Sequence, residues 1–260
     1  MELEQQKEAY AKRGLGVAAI SYDSLTTLQS FAARKGIGYP LLSDPGSKII
    51  RTFGILNESF HPGQLPYGVP YPGMYIVDEH GIVRAKYFET DYVERDTAAS
   101  ILVRQFGANG TGATEIETPQ LKLVSSASDA TVSPGNRITL VVDLDLKPRM
   151  HVYAPGVTGG YIPIDWQIAA LRSYAAQPID WPQSHMLNLP VIHETVPVYT
   201  GQLRLTRDVT IAQPIKPGPL TVEGTFRYQA CDDKACYPPR NIPLKWTFQV
   251  EPLDRQRAPR

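Results

Sequence analysis

Ile242-Pro-Leu-Lys-Trp-Thr-Phe-Gln-Val250 places an apolar side chain at every second position: Ile242, Leu244, Trp246, Phe248 and Val250. A period of two belongs to a strand with one buried and one wet face, whereas a helix would space its apolar residues three and four apart. Upstream, residues 138–146, 203–211 and 220–229 are also strand-like, punctuated by many prolines. Strands of this kind, with turn residues between them, predict an all-β sandwich of immunoglobulin type over residues 119–252, followed by a short tail, 253–260.

The first part of the chain has another texture. Residues 2–13 read as a polar helix without a capping residue, and 16–21 as a short buried strand. Ser24 caps a helix through Lys35, with Leu25, Leu28 and Phe31 on one face. A strand at 39–42 and a short helix at 47–53 follow. Residues 74–77 and 82–88 form a hairpin around Asp78-Glu-His-Gly81, and Asp96 caps a last helix through Phe106. This alternation predicts an α/β domain over residues 1–107. Residues 108–118, Ala-Asn-Gly-Thr-Gly-Ala-Thr-Glu-Ile-Glu-Thr, are small and polar, which is linker composition.

Lys+Arg and Asp+Glu both total 26 in 260 residues. A balanced chain lacks the cationic excess that nucleic acid or an anionic membrane surface requires. No run of about 18 apolar residues is present, so no membrane span is expected. The opening Met1-Glu-Leu-Glu-Gln-Gln-Lys-Glu is charged where a signal peptide would be apolar.

The sequence has two cysteines, Cys231 and Cys236, in Cys-Asp-Asp-Lys-Ala-Cys-Tyr-Pro-Pro239. They lie between the strand-like stretches 220–229 and 242–250, on a loop at one end of the sandwich. Closing so short a ring removes about 2 kcal/mol of unfolded-state entropy, against roughly 4–5 for a ring of 100 residues. A bridge selected only for stability would join distant strands; a short exposed one is the kind that exchanges with a partner thiol. The plain alternatives are a structural clip or two free cysteines, and spacing alone does not choose among them. A metal site would need two further ligands from scattered histidines, so no metal is expected. Asp232 and Asp233 raise neighbouring thiol pKa values and Lys234 lowers them. Tyr228 and Tyr237 are candidates to shield the sulfurs, and Pro238-Pro239 stiffens the loop exit.

Tyr228-Gln-Ala-Cys-Asp-Asp-Lys-Ala-Cys-Tyr-Pro-Pro239 resembles the active-site loop of the N-terminal periplasmic domain of DsbD-type thiol:disulfide interchange proteins. Met150-His-Val-Tyr153-Ala-Pro-Gly156, with Ile162-Pro-Ile-Asp-Trp166, resembles that domain's tryptophan-, tyrosine- and proline-containing stretch. Trp181-Pro182 and Tyr199-Thr-Gly201 resemble later landmarks. The resemblance covers roughly residues 119–252. It implies an immunoglobulin-like carrier that passes reducing equivalents between a membrane thiol reductase, or a thioredoxin-like donor, and periplasmic acceptors. It makes Cys231 and Cys236 the couple, Cys236 facing the partner and Cys231 resolving. Tyr-rich positions near the family's active site become His151 beside Tyr153 here, and Tyr153 matches the family's landmark position. His151 is either a packed strand residue or a proton donor beside the sulfurs. The family's acidic-aromatic cap over the disulfide has no clear match; Tyr161 is the nearest.

The first part, carried by Gly16-Val-Ala-Ala-Ile-Ser-Tyr-Asp23, Pro40-Leu-Leu-Ser-Asp44, Phe53-Gly-Ile55 and Pro72-Gly-Met-Tyr-Ile-Val-Asp78-Glu-His-Gly81, resembles redoxins of the AhpC/TSA type on a thioredoxin-like fold. By that resemblance Pro72 is a vestige of the fold's cis-proline. The family's catalytic cysteine precedes the helix with which this chain opens, and its first strands are missing too, so an incomplete domain is expected. No cysteine occurs before Cys231, so residues 1–107 cannot form a peroxidatic sulfenic acid. Two accounts compete: truncation, which would also remove a signal peptide, or a cysteine-free docking remnant.

Together these readings give a thiol–disulfide oxidoreductase of the periplasm or cell envelope. It exchanges reducing equivalents with partner proteins through Cys231 and Cys236 and needs no cofactor. The rivals are a peroxiredoxin-type antioxidant protein whose catalytic segment is missing from this chain, and a non-enzymatic binding module with a structural disulfide.

Overall fold

The computed structural model describes residues 2–64, 66–88, 94–189 and 194–253. Met1 and residues 254–260 of the expected tail lie outside the described residues. The chain forms two compact units, one up to Ala99 and one over Ser100–Leu253.

The first unit runs α1 (Glu2–Ala11), β1 (Ala19–Ser21), α2 (Leu25–Lys35), β2 (Leu41–Ser43), α3 (Lys48–Thr52), β3 (Gly73–Val77), β4 (Val83–Phe88) and β5 (Arg95–Asp96), ending in the first residues of α4 (Ala98–Phe106). Ser24 caps α2 as its sequence predicts, its side chain accepting from the Thr27 amide; Gly36 ends the helix in the left-handed conformation, bonding back to Ala32. Both Asp44 carboxylate oxygens accept amides at the head of α3, from Lys48 and Ile50. The last helix begins at Ala98, two residues after Asp96. The α/β order is present, in an open form: β1 and β2 pair in parallel, while β3 and β4 make a separate antiparallel hairpin. The vestigial cis-proline is corrected. Among the described residues only the Gln213–Pro214 bond is cis, so Tyr71–Pro72 is trans, the isomer an X–Pro bond adopts unless its surroundings force the other.

The second unit contains β6 (Thr111–Glu117), β7 (Leu121–Ala127), β8 (Thr131–Val132), β9 (Asn136–Leu146), β10 (His151–Tyr153), β11 (Asp165–Ile168), β12 (Tyr174–Ala176), β13 (His185–Leu189), β14 (Glu194–Thr200), β15 (Gln202–Ile211), β16 (Gly218–Tyr228), β17 (Ala230–Cys231) and β18 (Arg240–Val250). One sheet runs β12-β15-β9-β7-β6, a second β11-β16-β18-β8. Their inner faces share one core. Leu123, Leu140, Val142 and Leu205 come from the first sheet, and Trp166, Phe226, Leu244, Trp246 and Phe248 from the second. This is an immunoglobulin-like β-sandwich. The strict alternation along β18 is realised residue by residue, Ile242 to Val250 buried and their neighbours exposed. Leu220 pairs with Phe248 and Tyr228 with Arg240 on β16. A third, small sheet, β13-β14-β10-β17, carries the cysteine end.

The linker reading of 108–118 is corrected. Residues 111–117 are β6, paired antiparallel with β7 from Thr111↔Ala127 to Glu117↔Lys122. Its polar side chains are exposed, so an edge strand needs no apolar pattern here. Its glycines serve geometry: Gly112 takes φ +64° at a register shift, and a Cβ on Gly110 would fall 2.5 Å from the Ser126 hydroxyl. The unit boundary falls at 99/100 rather than 107. Arg104 pairs with Asp208 on β15 at 2.6 Å, and the Arg204 guanidinium donates to the carbonyls of Gly107 and Ala108.

Candidate functional site: a disulfide hairpin at the end of the sandwich

β16 delivers the chain to the sandwich end, β17 turns it onto the small sheet, and β18 takes it back. Within that excursion Cys231 and Cys236 form a disulfide, Cα atoms 4.0 Å apart. The two sulfurs have different environments. Cys231 is 1% exposed and closes a small apolar cluster with Tyr153, Val196 and Val198, separate from the main core. Cys236 is exposed at the outer arm of the turn.

β10 supplies the floor. His151 lies directly opposite Cys231, and Val152 opposite Ala230. Tyr153 is buried beneath the bridge, its hydroxyl 3.5 Å from each sulfur. A disulfide sulfur has no hydrogen to give, so the phenol is the donor. Burial, with the Glu194 charge behind it, raises the Tyr153 pKa and keeps the phenol protonated. His151 is buried and meets the Tyr153 ring edge-on at 5.5 Å; among the described residues its Nε2 has no hydrogen-bond partner. Desolvation lowers its pKa, opposed by the charges of Asp233 and Asp232.

Over the same ring lies Tyr161, centroids 4.5 Å apart, its hydroxyl donating to the Glu194 carboxylate. That bond pushes the Tyr161 pKa up to about 12. The neighbouring Gly159, at φ +90°, would bring a Cβ to 3.2 Å from the Tyr161 ring. An acidic-aromatic pair, Tyr161 with Glu194, therefore stands against the Tyr153 ring, and only its aromatic half is identifiable in the sequence.

The remaining candidates divide. Asp232 accepts from the Lys234 and Ala235 amides and from the Tyr237 hydroxyl, which together hold its pKa below the usual carboxylate value. Tyr237 thus braces the turn. Asp233 is exposed and bound by two nitrogens of Arg149, and Lys234 is exposed. Tyr228 is not a shield. It shares the inward parity of Leu220, Val222 and Phe226, lies in the main core, and its hydroxyl bonds Thr118 Oγ1 at 3.0 Å. Arg149 and Glu194 were missed, as their partners lie 84 and 33 residues away. Pro72 belongs to the other unit. Among the described residues no three His, Cys, Asp or Glu side chains converge as metal ligands.

Residues 118–245 match the family model described as thiol:disulfide interchange protein DsbD, N-terminal, a span that includes both cysteines. The sandwich resembles the DsbD N-terminal domain. Residues 1–86 match the AhpC/TSA family model, so a redoxin-like region precedes the DsbD-like domain in one chain. Among curated proteins, peroxiredoxin Q from Arabidopsis thaliana chloroplasts is 32% identical over 80 residues, which is 31% of this chain and 34% of that protein. The chain thus spans about a third of that relative's length. Among solved structures, the N-terminal periplasmic domain of ScsB from Proteus mirabilis aligns with 52% of this chain and 49% of its own, at 12% identity and a TM-score of 0.40. The reduced DsbD N-terminal domain of Neisseria meningitidis aligns over 43% of this chain and 82% of its own, at 13% identity and a TM-score of 0.28. Among the described residues no helix is long and apolar enough to cross a membrane.

Proposed function

We propose that the chain is a thiol–disulfide carrier that works with redox partner proteins in the periplasm or cell envelope, with Cys231 and Cys236 as its couple. The carrying observation is the asymmetry of the bridge, one sulfur exposed on a turn and the other buried against a tyrosine hydroxyl. In the reduced protein the Cys236 thiolate attacks a partner disulfide. The partner's S–S bond breaks, a mixed disulfide forms, and the leaving partner sulfur takes up a proton. Cys231, deprotonated, then attacks Cys236, restoring the internal bridge and releasing the second partner thiol. Two electrons pass to the partner, and a donor dithiol returns them by the reverse sequence. Tyr153 is suited to both halves, since its hydroxyl reaches either sulfur and can donate to whichever carries charge.

The redoxin-like region contains no cysteine, so it contributes no thiol chemistry of its own within this sequence. Its role in this reading is to present or dock a partner.

The test is trapping. A Cys231→Ser chain, reduced and offered glutathione disulfide, should accumulate one stable glutathione adduct on Cys236. Cys236→Ser should react far more slowly, its remaining thiol being buried. Equal labelling of both single variants would remove the assignment of roles, and no labelling of either would remove the function.

A further inference from the structure

The turn between the cysteines is held by more than its covalent bridge. The Tyr237 amide donates to Ala230 O at 2.9 Å, and the Asp232 amide to Ala235 O at 3.0 Å. Cys231 and Cys236 therefore face each other as the non-hydrogen-bonded pair of a small antiparallel hairpin. That is where facing side chains come closest in any such ladder. The Asp232 carboxylate fastens the turn from within. One oxygen accepts the Lys234 amide at 2.8 Å and the Ala235 amide at 2.9 Å; the other accepts the Tyr237 hydroxyl at 2.8 Å. None of these five bonds involves sulfur. Reduction of the bridge removes none of them.

We propose that Asp232 is a positioning residue for the couple: its carboxylate keeps the two thiols facing each other in the reduced protein and so fixes how strongly they re-form the internal disulfide. This rests on the exchange reading above. Ring closure by Cys231 competes with a partner thiol through its effective concentration, which falls as the reduced turn spends less time with the sulfurs in register. Without Asp232 two turn amides lose their acceptor and Tyr237 loses its anchor. The outer link, Arg149 to Asp233, joins exposed side chains and leaves the hairpin bonds in place when cut.

Geometry and charge are separable. Asp232→Asn keeps a carbonyl oxygen for the two amides and a polar group facing Tyr237, while removing the negative charge. Asp232→Ala removes both.

The experiment equilibrates the full chain in reduced and oxidised glutathione mixtures and counts free thiols by alkylation and mass spectrometry. Asp232→Ala should lower the equilibrium constant for the internal disulfide at least tenfold, a potential about 30 mV less negative. Asp232→Asn should stay within threefold of the parent, and Arg149→Ala should move it less than Asp232→Ala. Unfolding midpoints of all variants show that the sandwich is intact. A twofold or smaller change in Asp232→Ala overturns the proposal, as does an Asp232→Asn that falls equally far, since charge would then explain the effect. A parent bridge that glutathione opens at no ratio overturns the exchange reading and this inference with it. Normal parent exchange beside an unmoved Asp232→Ala overturns this inference alone.

Discussion

In the sandwich, Trp166, Phe226, Trp246 and Phe248 are all 4% exposed or less, whereas in the redoxin-like unit Leu25, Leu42, Phe53 and Ile82 are all at least half exposed. The cause is topological. Two facing sheets of four or more strands can bury both inner faces, and β16 and β18 pair along eleven residues to do it. Two strands of three residues, β1 and β2, with a separate hairpin, offer little sheet to cover. The difference teaches where rigidity lies: the cysteine turn is mounted on the well-packed unit, as reactive loops on stable scaffolds commonly are.

The most severe way to break this comparison is chemical. Cys236→Ser should slow reaction with glutathione disulfide drastically, leaving only the buried Cys231 thiol, while Pro72→Ala, in the other unit, should leave the exchange rate within about twofold; both are read by alkylation after mixing with glutathione. A large loss in Pro72→Ala would mean that the redoxin-like unit takes part in the chemistry.

Next in size are core substitutions. Trp246→Ala removes a 4%-exposed indole whose N–H bonds Ser126 O, and should cost about 3–5 kcal/mol in denaturant unfolding. Phe53→Ala, half exposed, should cost within about 1 kcal/mol. Comparable losses would erase the contrast between the units. Limited proteolysis of the full chain sharpens it: cleavage should fall first in residues 2–99 and leave a fragment that retains β6. Early cleavage inside residues 111–117 would restore the linker reading.

A smaller effect is expected from acid. Burial holds the His151 pKa below its ordinary 6.5, so the unfolded chain binds a proton that the folded one refuses. The associated stability is complete above pH 6.5 and declines as pH falls toward the depressed folded value. Asp232 and Asp233 partly oppose this, and His185 adds to it. The unfolding midpoint of the sandwich should therefore drop between pH 7.5 and 5, and His151→Gln should shrink the drop. An unchanged slope in that variant would assign the acid sensitivity elsewhere.

What was legible in the sequence follows the same division. Alternation along 242–250 exposed β18 because each inward residue meets the facing sheet, and Ser24 declared the start of α2 because its hydroxyl accepts a local amide. The cysteine pair and Tyr153 were identifiable through resemblance. β6 was hidden because an edge strand with water on its side chains takes its order from backbone pairing, which composition does not record. Tyr228 was misread although its parity with Phe226 already pointed it inward. Glu194 and Arg149 were illegible because their partners, 33 and 84 residues away, are neighbours only in the folded chain.

The most direct measurement is the reduction potential of the Cys231–Cys236 bridge in the full chain, set against glutathione or dithiothreitol couples. An exchanging bridge with an exposed sulfur should titrate above about −300 mV, within reach of cellular dithiols. A value well below about −300 mV would mark the bridge as a structural clip and contradict the carrier function.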